Sequence, residues 1–164
     1  MVLFDSACYS DLYCYADKFM KVLDDVKSNF KMITWYTIML ILMNIALSWV
    51  PSFFGSQDVQ VNNSVSISVL LLSGVFAPFF EETIMRGLLQ RWLEINTQIS
   101  LWSVYGIVAS IFSLLHFQYY FVPFFFTSVV LSYVYDQSQH KLVVPFLIHC
   151  FYNIVVIVIS AFNL

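Results

Sequence analysis

Apolar residues in this chain gather into five long runs divided by short polar breaks, and a mixed segment precedes the first. Over residues 10–31, Leu12, Ala16, Phe19, Leu23, Val26 and Phe30 recur at three- and four-residue spacing. Asp11, Asp17, Lys18, Asp24, Asp25 and Lys31 mostly fall elsewhere. That periodicity predicts an amphipathic helix, read as lying on the cytoplasmic leaflet, with a partner-binding arm as the alternative. Residues 32–50 form the first apolar run, about 28 Å long at the helical rise of ~1.5 Å per residue. Trp35, Tyr36 and Trp49 stand near its ends, as interfacial anchors do. Residues 51–55 then break the helix and 56–64 form a polar loop. The second run, 66–80, continues through Glu81 to about Glu94 as one long helix, with a kink expected near Gly74 and Pro78. Residues 101–117, 119–135 and 142–162 are the remaining runs. Pro123 lies near the start of the fourth, and Pro145 lies in the first turn of the fifth, where proline is tolerated.

Composition fixes what these runs are. The 164 residues are 60% hydrophobic and only 10% charged, whereas a soluble domain is about 25% charged. With a mean hydropathy of +0.80, the chain is expected to be all-α: a polytopic membrane bundle of about five transmembrane helices behind an N-terminal amphipathic helix. Residues 1–31 are then the cytoplasmic amphipathic segment and 32–164 the transmembrane domain. No basic region, short apolar core and small-residue cleavage site open the chain, so no removable signal peptide is expected. Lys18, Lys21, Lys27 and Lys31 precede the first run, Arg91 separates the second and third, and Lys141 separates the fourth and fifth. The loops at 51–64 and 118–120 contain neither lysine nor arginine. The positive-inside rule therefore puts the N-terminus in the cytoplasm and the C-terminus outside.

The net charge of -3 decides little, and no basic patch interleaved with aromatics supports nucleic-acid binding. Cys8, Cys14 and Cys150 lack metal or redox spacing, and Cys150 reads as a small packing residue. Without a duplicated half, the chain also lacks the repeat architecture of most transporters.

Few strongly polar groups remain inside the runs: Asn44, Glu81, Glu82, Arg86, His116, His149 and Asn153. A carboxylate in hydrocarbon is costly unless paired or wetted. Glu82 and Arg86 are four apart and share a helix face, so they are expected to pair. Glu81 points about 100° away and is left without a local partner. His149 and Asn153 project from one face of the fifth run, and His116 ends the third. Polar side chains from separate spans are expected to converge inside the bundle. A carboxylate assisted by an imidazole activates water as a general base, while histidine and asparagine donate hydrogen bonds to an oxyanion. Taken singly, each has a plainer reading: a satisfied intramembrane histidine, a solvated Glu82–Arg86 ion pair, or, for Asn44, interhelical glue.

Glu81-Glu-Thr-Ile-Met-Arg86, Phe112-Ser-Leu-Leu-His116 and His149-Cys-Phe-Tyr-Asn153 resemble, in order, the EExxxR, FxxxH and HxxxN motifs of the CPBP family of CAAX proteases and bacteriocin-processing enzymes. The likeness covers about residues 66–160, with one span before it. It implies a glutamate-dependent intramembrane endopeptidase acting on a membrane-bound peptide or protein. Glu81 and His116 match the residues that activate water, and His149 and Asn153 match those thought to stabilise the oxyanion. Glu82 and Arg86 match supporting positions, and Phe112 opens the second motif. The resemblance implies no cofactor, and an integral protein of a bacterial plasma membrane. Two other readings stay open. One is a non-catalytic bacteriocin-immunity factor or scaffold, which has no need for costly buried carboxylates. The other is a zinc enzyme with Glu81, His116 and His149 as ligands, a plausible set that lacks the His-Glu-x-x-His signature.

Overall fold

The computed structural model describes residues 6–48, 66–116 and 121–161. Every element among the described residues is helical: α1 Ser6–Ser28, α2 Phe30–Ser48, α3 Ile67–Asn96, α4 Leu101–Leu115, α5 Phe121–Gln137 and α6 Val143–Ala161. The expected break and polar loop at 51–64, the turn at 118–120 and the Trp49 anchor lie outside the described residues.

By length and composition, three of these helices can cross a membrane: Phe30–Leu47 within α2, all of α3, and α6. The chain is an integral membrane protein on that ground. The third and fourth apolar runs form the shorter helices α4 and α5. The N-terminal helix begins earlier than its periodicity suggested and stops at Ser28; Asn29 alone separates it from α2. Leu23 and Val26 turn toward the bundle, while Phe19 and Phe30 from the same predicted face are exposed. A Lys141–Asp25 ion pair of 2.9 Å fastens α1 to the α5–α6 turn.

The helix ends follow from their capping residues. Ser66 and Ser100 accept hydrogen bonds from the amides of Val69 and Ser103, each at 3.2 Å, satisfying donors that a first turn leaves unpaired. Between α5 and α6 the chain turns through Gln139 and His140, both in the left-handed region with φ of 60° and 62°. The His140 amide there closes on the Tyr135 carbonyl at 2.9 Å.

α3 is regular at its ends and π-helical over Leu72–Phe76 and Thr83–Gln90. The first stretch falls where a kink was expected, for a definable reason. Pro78 has no N–H, and in a regular turn its ring meets the carbonyl four residues back. Just before it, the Ala77 amide reaches the Leu72 carbonyl five residues back, and this wider turn makes room. Gly74 in the same stretch lets α6 approach closely: a Cβ there would lie 2.8 Å from Ile154 Cγ1.

Two apolar cores result. One joins α2, α5 and α6 through Leu40, Leu131, Val134, Val144 and Ile148. The other joins α3 and α4 through Met85, Leu93, Val104, Val108 and Phe112, with Phe124 and Tyr133 of α5 packed on it. α5 is common to both. Asn44 donates to the Tyr152 hydroxyl at 2.7 Å, the helix-to-helix link its isolation suggested, and Cys150 is buried and unpaired.

Candidate active site

Glu82 is fully buried, and its Oε1 is shared between two donors. Arg86 reaches it at 3.0 Å and His149 Nδ1 at 2.7 Å. Arg86 is equally buried. Its second terminal nitrogen donates to both the hydroxyl and the carbonyl of Ser128, each at 3.0 Å. Its guanidinium also sits 5.4 Å from the centre of the Phe112 ring, a cation–π distance. Ser128 thus supplies two acceptors to the buried guanidinium, while Arg86 Nε and Glu82 Oε2 are buried without a hydrogen-bond partner among the described residues.

Glu81, one residue earlier, points elsewhere and is 29% exposed. Its Oε1 lies 4.0 Å from His116 Nε2 and its Oε2 lies 3.6 Å from His149 Nε2. Both separations exceed direct hydrogen-bond length.

The outer nitrogens define the two rings. His116 Nδ1 is 2.8 Å from the Phe112 carbonyl, which only accepts, so Nδ1 carries a proton and Nε2 is the nitrogen turned to Glu81. The His116 ring contacts two phenyl groups, Phe112 at 4.5 Å and Phe124 at 4.3 Å between centroids. His149 Nδ1 likewise donates to a carboxylate, that of Glu82. Each imidazole is thus anchored through Nδ1 and turns Nε2 toward a different oxygen of Glu81.

The fold therefore brings together Glu81, Glu82, Arg86, Phe112, His116 and His149, six of the seven residues singled out by sequence. Asn153 takes another place: its amide donates to the Ser73 carbonyl at 3.0 Å, tying α6 to the first π-helical stretch. The His149 imidazole carries nitrogens on opposite edges and lies between both glutamates, Nδ1 on Glu82 and Nε2 toward Glu81. Phe124, Ser128 and Gln90 were not singled out.

A second polar cluster stands where α3 and α5 end. His140 Nε2 lies 3.0 Å from Glu94 Oε2 and 3.6 Å from Asp136 Oδ1. Gln90 donates to the other Glu94 oxygen at 2.9 Å, and the Tyr105 hydroxyl to the other Asp136 oxygen at 3.1 Å. Among the described residues, Glu94, Asp136 and His140 are the group whose metal-ligand atoms all lie within 4.8 Å of one another. A resident cation already stands in it, since Arg91 lies 3.4 Å from Glu94 and 3.3 Å from His140.

The α3 members of both clusters, Glu82, Arg86, Gln90 and Glu94, recur every fourth residue. In a regular helix such positions drift about 40° per step. The wider π-helical turns at Thr83–Gln90 counter that drift. Gln90 consequently still faces α5, donating to the Ser132 carbonyl at 3.2 Å.

The sequence matches the family model described as Rce1-like, type II CAAX prenyl endopeptidase, over residues 63–155. That stretch is more than half of the chain and contains all three motifs. No curated protein and no solved structure matches the chain.

Proposed function

This chain belongs to the Rce1-like family of type II CAAX prenyl endopeptidases, and from that premise we propose that it is a glutamate-dependent intramembrane endopeptidase. The observation that carries this reading is the convergence of two imidazoles on one carboxylate. His116 and His149 turn Nε2 toward Glu81 at 4.0 and 3.6 Å, while Arg86 is committed to Glu82.

A water held between Glu81 and His116 hydrogen-bonds to both, since each gap suits a bridging molecule better than direct contact. Glu81, assisted by His116, takes a proton as the water oxygen attacks the peptide carbonyl carbon. The carbonyl oxygen becomes an oxyanion. His149, when protonated at both nitrogens, donates from Nδ1 to Glu82 and presents Nε2–H to that oxygen. Asn153 joins it by exchanging the Ser73 carbonyl for the oxyanion. When the tetrahedral centre collapses, the C–N bond breaks and the proton passes to the leaving amine. One water is consumed, and one carboxylate and one amine are formed. General acid–base assistance of this kind contributes about 10²–10⁴-fold.

The substrate on this reading is a membrane-anchored peptide or protein. A CAAX prenyl substrate is the first candidate from the family description, followed by a bacteriocin or pheromone precursor or a signalling protein. α4 and α5 serve as short spans beside the three long ones, and α1 lies on the cytoplasmic leaflet. The N-terminus faces the cytoplasm of a bacterial cell and the C-terminus lies outside. No cofactor is required. The competing zinc mechanism through Glu81, His116 and His149 predicts activity that a chelator removes and zinc restores. Comparing membrane-peptide profiles by mass spectrometry between cells expressing the wild type and Glu81→Ala tests the reading and identifies the substrate. Peptides that appear only with the wild type support it. Identical profiles favour the non-catalytic immunity or scaffold reading.

A further inference from the structure

The three motifs occupy α3, α4 and α6, and α5 carries none, yet α5 touches both halves of the site. The Phe124 ring lies on His116 with a centroid distance of 4.3 Å and an interplanar angle of 22°. Four residues later, and so on the same helix face, Ser128 accepts both hydrogen bonds from the second terminal nitrogen of Arg86.

The two contacts act on different catalytic groups. His116 caps the C-terminus of α4, where among the described residues the hydrogen bond that holds its ring runs from Nδ1 to the Phe112 carbonyl. A single hydrogen bond leaves the imidazole free to tilt about that bond, and tilting carries Nε2 away from Glu81. Ring contacts with Phe112 and Phe124 restrict that freedom. Ser128 works at one remove. It holds one arm of the guanidinium, whose other arm fixes Glu82 Oε1, and that oxygen fixes His149 Nδ1 at 2.7 Å. Both routes end on the same quantity, the direction in which an Nε2 faces Glu81.

We infer that Phe124 and Ser128 are positioning residues for the hydrolysis, Phe124 acting through His116 and Ser128 through Arg86, Glu82 and His149. The inference rests on the endopeptidase reading. Misplacing a catalytic group by about 1 Å costs on the order of 10²-fold in rate, and neither residue touches the bond being broken. The loss is therefore expected in kcat and not in KM.

The test uses the full chain in lipid nanodiscs with a fluorogenic membrane peptide, comparing wild type, Glu81→Gln, Phe124→Leu, Phe124→Tyr, Ser128→Ala and Ser128→Thr. Phe124→Leu keeps an apolar side chain but removes the ring. It is expected to lower kcat by about 10- to 100-fold with KM within about twofold, while Phe124→Tyr stays within about threefold of wild type. Ser128→Ala removes one of two acceptors and lowers kcat by about tenfold, and Ser128→Thr restores it. The ring-proton NMR signals of His116 give a readout independent of cleavage: the upfield shift of wild type is kept in Phe124→Tyr and reduced in Phe124→Leu, where Phe112 alone remains beside the ring. If Phe124→Leu and Ser128→Ala cleave like wild type, or only their thermal midpoints fall, the positioning roles are wrong while the endopeptidase reading stands. If Glu81→Gln itself keeps full activity, that reading fails first.

Discussion

Two clusters on the same helix use the same side-chain types to opposite ends. Near the middle of α3, Glu81, Glu82 and Arg86 meet His116 and His149; at its end, Arg91 and Glu94 meet Asp136 and His140. In the end cluster each carboxylate has one oxygen held by a neutral donor, Gln90 or Tyr105. The other oxygen stands beside a histidine, and Arg91 is 45% exposed, with water to share its charge. In the middle cluster the arginine is fully buried and divided between Glu82 and Ser128. Glu81 faces two imidazoles, and among the described residues no lysine or arginine lies within ion-pair distance of it. Composition does not distinguish the two clusters; the disposition of the arginine in each does.

The comparison is broken most severely through the histidines. His116→Ala is expected to lower kcat by about 10²–10⁴-fold, and His140→Ala to leave it within about threefold. Comparable losses from both, in steady-state cleavage assays, would erase the distinction between the clusters. The arginines come next. Arg86→Leu leaves Glu82 buried without its counter-charge and is expected to cost about 3–5 kcal/mol. Arg91→Ala removes a half-exposed partner and is expected to cost about 0–1 kcal/mol. Denaturant unfolding in detergent micelles reads both values. The glycines give the smallest contrast. Gly74→Ala in the first π-helical stretch of α3 drives a methyl group into Ile154 and is expected to cost about 1–3 kcal/mol. At Gly87 the nearest atom to an added Cβ is Leu142 Cδ2 at 3.8 Å, so Gly87→Ala is expected to be neutral or to gain up to about 1 kcal/mol. Equal melting shifts for the two would show that helix contact at Gly74 is looser than described.

Much of this was legible in the sequence because membrane solvent simplifies the rules. Apolar runs located the helices, and the four-residue spacing of Glu82 and Arg86 foretold their pairing. The convergence of Glu81, His116 and His149 followed from the cost of leaving ionisable groups in lipid. The bridging of both glutamates by His149 was not legible, since it depends on the two edges of one ring and on how far α6 rotates against α3. Asn153 sits one turn from His149, yet Gly74 brings α6 close enough for its amide to meet the Ser73 carbonyl. Phe124 and Ser128 escaped notice because a phenylalanine among many, or a serine in a span, carries no cost that demands explanation. A signal did exist. Polar or small residues recur every fourth position on α5 at Ser128, Ser132 and Asp136, matching Arg86, Gln90 and Glu94 on α3.

The central claim is that Glu81, the carboxylate that two imidazoles face, is the base. Measuring kcat for purified wild type and Glu81→Gln on a fluorogenic membrane peptide, with unfolding followed in parallel, tests it most directly. The account predicts a loss of about 10²-fold or more with an unchanged melting transition, because among the described residues Glu81 makes no direct hydrogen bond to another helix. Full activity in a folded Glu81→Gln protein would contradict it.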